Sequence, residues 1–226
     1  MNYRAITERM APRQAVLVAV SKTKPQAAIN EMYALGQRDF GENYVQELVE
    51  KQQRLPGDIR WHFIGHLQTN KVRLIAPFIH LIHGIDSFKL LIEVDRQGKK
   101  AGRVIDVLLQ VHIAQEETKF GLDEKELEAI FSSPEVSQLS NVKIRGLMGM
   151  ASFTDDVALI RKEFRYLKEL FDKYKAIAQK PVITAGSFSI LSMGMSSDYP
   201  IALEEGSTMV RIGSLLFGER NTEAHT

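Results

Sequence analysis

Eight short apolar runs alternate along this chain with segments of helical periodicity, and that alternation is its strongest constraint on fold. The runs expected to be strands cover residues 15–20, 39–41, 61–64, 78–83, 104–113, 142–147, 189–191 and 209–212. Helical patterns fall over 26–36, 45–52, 69–76, from Ser87 to about residue 100, from Asp123 to about 133, over 155–178 and over 198–205. Pro25 suits the first turn of the helix it precedes, Gly36 suits its end, and Ser87, Asp123 and Asp198 suit N-caps. Strand–helix–strand order implies a parallel sheet with helical crossovers. Eight such units in 226 residues imply a closed (β/α)8 barrel, an α/β fold of TIM-barrel type, with an open doubly wound sheet as the alternative. No linker or repeat interrupts the pattern, so residues 1–226 read as one domain.

Composition removes whole classes of function. The formal net charge is +1, which gives no electrostatic reason to expect nucleic acid or an anionic membrane as partner. The absence of cysteine excludes disulfides, thiolate metal sites and cysteine nucleophiles. No apolar stretch approaches the roughly 20 residues that span a bilayer, and the N-terminus carries no apolar signal core. The expectation is a cytoplasmic enzyme or binding protein.

In a barrel of this type the site lies at the C-terminal ends of the strands. Lys22 follows the first expected strand, in Ala-Val-Ser-Lys-Thr-Lys-Pro. A desolvated lysine there is a nucleophilic amine, while a solvated loop lysine is the plain alternative. Lys24 is expected to face solvent from the strand-to-helix turn. Gly41-Glu42-Asn43-Tyr44, Gly65-His66-Leu67-Gln68, Met148-Gly149-Met150, Ser192-Met193-Gly194-Met195-Ser196 and Arg211-Ile212-Gly213-Ser214 follow later strands, so the glycine-rich loops share one face. Loops after strands seven and eight often bind phosphate, which points to Ser196, Gly213 and Ser214. Arg211 alternates with Val210 and Ile212, so its side chain enters the barrel if theirs pack outward. A lysine amine opposite a phosphate cup is the layout that pyridoxal 5'-phosphate requires.

The segments AVSKTKP, FGENYVQE, WHFIGHLQTNK, RGLMGM, LSMGMSSD and GSTMVRIGSLLFGER, collinear from about residue 15 to 220, resemble the YggS/PROSC family of pyridoxal phosphate homeostasis proteins. That resemblance implies the fold of the alanine racemase N-terminal barrel. It implies Lys22 as the Schiff-base lysine, Arg211 beside the pyridine nitrogen, Ser196, Gly213 and Ser214 around the phosphate, and Asn43 near the cofactor. It also implies a monomer that buffers and delivers the cofactor to apo-enzymes with little or no turnover. Arginine beside the ring can only donate, so the pyridine nitrogen stays unprotonated and carbanion chemistry is restrained. One departure is a lead-in of only 14 residues before the first strand, which leaves open what covers the bottom of the barrel.

The remaining candidates carry plainer readings. Asn43 serves either the cofactor or its own turn, and Glu42 pairs with a neighbouring base. His62 and His66 straddle a strand end with no acidic ligand beside them, so no metal site is expected; His66 is the one that faces the site. Lys119 reads as a solvated lysine, with an anionic ligand as the alternative, and Met148, Met150, Met193 and Met195 read as core, with soft packing around the cofactor as the alternative. A racemase is the competing function. It needs proton delivery on both faces of a substrate carbon, and no second acid/base is evident beyond Tyr44 or His66. A regulatory module read by a partner protein is the third possibility.

Overall fold

The computed structural model describes residues 3–116, 120–177 and 187–218. The first helix, α1 (Tyr3–Met10), precedes β1 (Val16–Val20). There follow α2 (Gln26–Ala34), β2 (Asp39–Glu42), α3 (Val45–Arg54), β3 (Arg60–Phe63), α4 (Val72–Ile75) and β4 (Leu81–Ile85). The second half runs α5 (Phe88–Ala101), β5 (Ile105–Gln110), α6 (Glu124–Ser132), β6 (Val142–Met148) and α7 (Val157–Ile177). It closes with β7 (Ile190–Ser192), α8 (Tyr199–Glu204), β8 (Met209–Ile212) and α9 (Ser214–Phe217). All eight strands are parallel, and β1 pairs with both β2 and β8, so the sheet is a closed barrel rather than an open one.

Side chains divide between two packing layers. Phe40, Trp61, Phe63, Val107, Leu147 and Leu191 face outward into the large core beneath the helices. Val18, Leu81, Leu108, Met148 and Met209 pack on one another inside the barrel. The strands are buried on both faces, which is why they read as continuous apolar runs. Gly146 is obligatory: its φ is +154°, and a Cβ there would lie 1.8 Å from the Ile190 carbonyl oxygen of the neighbouring strand.

The helix starts follow the sequence in two of three cases. The Ser87 hydroxyl accepts from Leu90 N–H, and Asp123 forms a reciprocal capping box with Glu126. Asp198 does not cap α8; its Oδ1 accepts from Met195 N–H (2.5 Å) and holds the preceding loop. Pro25 stands just outside α2 in extended conformation. The strand expected over 78–83 begins instead at Leu81, because Phe78 and Ile79 still donate to the Ile75 carbonyl. The helix expected over 69–76 is a 3-10 turn leading into four α-helical residues.

The short lead-in is itself helical. Ile6 and Met10 of α1 bury against Leu17, Tyr199, Leu203, Val210 and Ile212, a burial worth roughly 2 kcal/mol per side chain. Tyr3 reaches Gln37 (3.3 Å), and Arg13 donates to the Leu203 carbonyl. The lead-in therefore covers the outside of β1 and β8 against α8.

Candidate functional site

A cavity of about 720 Å³ opens at the C-terminal ends of the strands. Its wall includes Lys22, Asn43, Ser196, Arg211, Gly213 and Ser214, the six residues expected at the cofactor, together with Lys24. Ile64, Met150, Phe153, Met195 and Leu215 supply its apolar surface. The wall as described carries three cationic residues and no carboxylate.

The Lys22 turn is held from both sides. Ser21 donates to Glu42 Oε1 (2.6 Å), and Lys51 Nζ donates to the Ser21 carbonyl (2.7 Å) and to Glu42 Oε1 (2.8 Å). Thr23 N–H donates to Glu47 Oε1 (2.6 Å), which also accepts from Lys51 (2.7 Å). Thr23 has φ +62°, a costly conformation for a β-branched residue. That left-handed residue turns the chain so that Lys24 also reaches the cavity wall, where its Nζ donates to the Phe217 and Gly218 carbonyls (3.0 and 3.2 Å). The expectation of a solvent-facing Lys24 is thus corrected. Glu42 is fully buried and pairs with Lys51 as expected. Burial raises its carboxyl above the usual range, against the opposing pull of Lys51 and Ser21.

Arg211 lies on β8 between the outward Val210 and Ile212 and points into the barrel. It is 4% exposed. Its Nη1 donates to the Ser192 carbonyl (2.9 Å) and hydroxyl (2.6 Å), and Nη2 donates to the Gly149 carbonyl (3.1 Å). Burial lowers its pKa to about 10, with the Asp198 charge opposing, so it stays cationic at neutral pH. Gly213 N–H donates to Ser196 Oγ (3.3 Å), tying the loops after β7 and β8 together. Asn43 Oδ1 is buried without a hydrogen-bond partner. Gly65 lets the β3 loop pass close behind it, since a Cβ there would lie 2.4 Å from the Asn43 carbonyl oxygen.

Other expectations change. His66 does not line the cavity; it stacks on Phe120 (4.1 Å between ring centres) and bonds Asp86 (2.8 Å). Tyr44 is also off the wall, half exposed at the start of α3. Met148 and Met193 are core, whereas Met150 and Met195 line the cavity. Lys119 lies outside the described residues. His62 does have an acid beside it: Asp39 Oδ1 is 3.0 Å from its Nε2, and atoms of Asp39, His62 and His80 gather within 4.8 Å. Asp39 on β2, His62 on β3 and His80 just ahead of β4 meet at the opposite, N-terminal end of the barrel. There Arg60 already clasps the Asp39 carboxylate with two hydrogen bonds (2.8 and 2.5 Å). The interior groups His83 and Ser192 were missed. A polar residue on the inner face of an otherwise apolar strand was the available signal.

Residues 1–221 match the family described as alanine racemase, N-terminal domain, which is the class that this barrel and its mouth define. Alanine racemase from Bartonella henselae, solved with covalently bound pyridoxal phosphate, shares the fold at TM-score 0.72 and 18% identity, over 97% of this chain and 59% of that one. Nearer relatives narrow the class. The pyridoxal phosphate homeostasis protein of Aquifex aeolicus is 42% identical over 91% of this chain and 87% of its own. That of Escherichia coli K12 is 37% identical over 93% and 88%. PipY of Synechococcus elongatus, solved with pyridoxal phosphate bound, is 40% identical, with TM-score 0.81 over 94% of this chain and all of that one. The chain belongs to the pyridoxal phosphate homeostasis protein family.

Proposed function

We propose that this chain binds pyridoxal 5'-phosphate through a Schiff base on Lys22 and acts in homeostasis of that cofactor with little or no turnover. The observation that carries the reading is the cavity wall, where Lys22, Lys24 and Arg211 stand among hydroxyl and backbone donors, with no carboxylate among the described residues. Such a lining suits an aromatic aldehyde bearing a dianionic phosphate. Asn43 Oδ1, buried and unpartnered on the same wall, further suits a polar ligand.

Lys22 supplies the amine, on a turn braced by Glu42, Glu47 and Lys51. Arg211 keeps a positive donor at the pyridine end, which disfavours protonation of the ring nitrogen. Ser196, Gly213 and Ser214 receive the phosphate, and Asn43 orders the ring on the lysine side. When bound, the cofactor supplies an aldehyde that traps primary amines and a ring that withdraws electrons. Tyr44 and His66, the candidates for a second acid/base, stand off the cavity wall, and Lys24 on it donates its Nζ protons to the Phe217 and Gly218 carbonyls. We further propose that the protein works as a cytoplasmic monomer of one domain that hands the cofactor to apo-enzymes. Among the described residues no helix is long and apolar enough to cross a membrane.

The test is an absorbance spectrum with and without pyridoxal phosphate, then borohydride reduction and peptide mapping. Label on Lys22 and amino-acid turnover at background are expected. Label elsewhere overturns the tether, and turnover at ordinary enzyme rates overturns the homeostatic role.

A further inference from the structure

A buried polar column runs through the barrel from its mouth to its opposite end. Arg211 Nη1 lies 2.6 Å from Ser192 Oγ, which lies 3.1 Å from His83 Nδ1. His83 Nε2 lies 2.9 Å from His62 Nδ1, and His62 Nε2 lies 3.0 Å from Asp39 Oδ1. Ser192, His83 and His62 are fully buried, and Asp39 and Arg211 nearly so. The large polar members occupy space that apolar side chains fill elsewhere inside the barrel.

The two ends dictate the direction of every bond. Arg211 can only donate, and an ionised Asp39 can only accept. Asp39 is ionised: burial alone would raise its pKa, but His62 and Arg60 outweigh that and hold it at about 2. His83 is neutral, because burial lowers its pKa well below 6.5, helped by the Arg211 cation. His62 Nε2 must therefore carry a proton for Asp39. If His83 Nδ1 accepts the Ser192 hydroxyl proton, His83 carries its own proton on Nε2 and His62 Nδ1 has to accept it. One proton then fills each bond and none is left over. The reverse arrangement would aim both Arg211 and His83 at Ser192 Oγ and require a new acceptor for its hydroxyl.

We propose that Asp39, His62, His83 and Ser192 are positioning residues. They form a one-way hydrogen-bonded column, both rings neutral and protonated on Nε2, that fixes the Arg211 guanidinium at the cavity wall. The charged and titratable groups facing the column are Arg60 and His80 at its lower end, with Asp106 and Arg145 beside them around the same opening. Its link to the cofactor rests on the function proposed above; the ring states themselves do not. The column makes a residue at the bottom of the barrel set the orientation of a hydroxyl at its mouth. Such chains also polarise one another and so strengthen their bonds.

The experiment is nitrogen-15 NMR of the histidine rings in the cofactor-free protein. The expected native result is Nε2–H on both His62 and His83. Asp39→Leu removes the obligatory acceptor, so a Nδ1–H form of His83 is expected to appear although that ring does not touch residue 39. Ser192→Ala is expected to shift the His83 ring signals, and Ser192→Thr, which keeps the hydroxyl, to restore them. A native His83 protonated on Nδ1, a cationic native His62, or an unchanged His83 in both disrupting variants overturns the column. Backbone amide spectra check that each variant folds. In parallel, Ser192→Ala is expected to bind pyridoxal phosphate about tenfold more weakly, the weight of one charge-assisted hydrogen bond. Unaltered affinity overturns the link to Arg211. Failure of the native protein to bind pyridoxal phosphate overturns the proposed function and leaves the ring measurement to decide the column.

Discussion

The two ends of the barrel treat charge in opposite ways. At the N-terminal end, Asp39 is clasped by Arg60 and His62, and Asp106 is 2.5 Å from Arg145. At the C-terminal end, Lys22, Lys24 and Arg211 share a cavity wall that holds no carboxylate among the described residues. Matched charges hold a structure together; a one-sign lining concentrates potential for a ligand of the other sign. The difference fits a mouth built to receive a ligand and a lower end whose charges are paired within the fold, the division expected for barrels of this class. Lys51 draws the same contrast among lysines: it is buried between Glu42 and Glu47, whereas Lys22 stands on the wall that those groups brace.

Substitutions at the two ends should separate binding from stability. The largest expected effect is from Lys22→Ala, which should abolish the borohydride-fixed label while changing urea stability by no more than about 0.5 kcal/mol. Mass spectrometry reads the first and fluorescence of Trp61 the second; a stability loss of several kcal/mol would show that Lys22 serves the fold. Next is Lys51→Met, which strands the fully buried Glu42 and should cost about 3–5 kcal/mol in a urea titration. A cost below about 1 kcal/mol would mean that the brace behind the Lys22 turn is dispensable.

A third effect concerns acid. The Asp39 carboxyl is depressed from 3.8 to about 2 in the folded state. A depressed acid contributes stability that is present above its unfolded value and lost as pH falls through the folded one. Between about pH 4 and pH 2 the native protein should therefore lose about 2 kcal/mol that Asp39→Asn does not lose. Parallel urea titrations across that window check it, and identical slopes would refute it. The smallest effect is expected from Arg145→Ala, since its pair with Asp106 is about a third exposed and should be worth no more than about 1 kcal/mol. A larger cost would tie the lower rim more tightly to the fold than exposed pairs allow.

Much of the molecule was legible in the chain because the information was local. Strand–helix alternation led to the closed barrel, and the position of Lys22 after β1 led to the cavity. Arg211 was readable from its two apolar neighbours, since strand periodicity sends alternate residues to opposite faces. Lys24 was misjudged because its direction depends on the left-handed Thr23 beside it, a conformation that no β-branched residue advertises. The start of β4 was placed early because Phe78 and Ile79 are as apolar as a strand, yet close a turn on Ile75.

The sequence by itself determined the order of the elements, the absence of thiol chemistry, and which loops gather at the mouth. These follow from periodicity and composition, which neighbouring residues carry. The tertiary structure alone decided which distant polar groups meet. His83 and Ser192 are 109 residues apart, and Asp39 and His62 are 23 apart on adjacent strands. Their pairing depends on strand register and barrel closure, and those are set by the packing of all eight strands together.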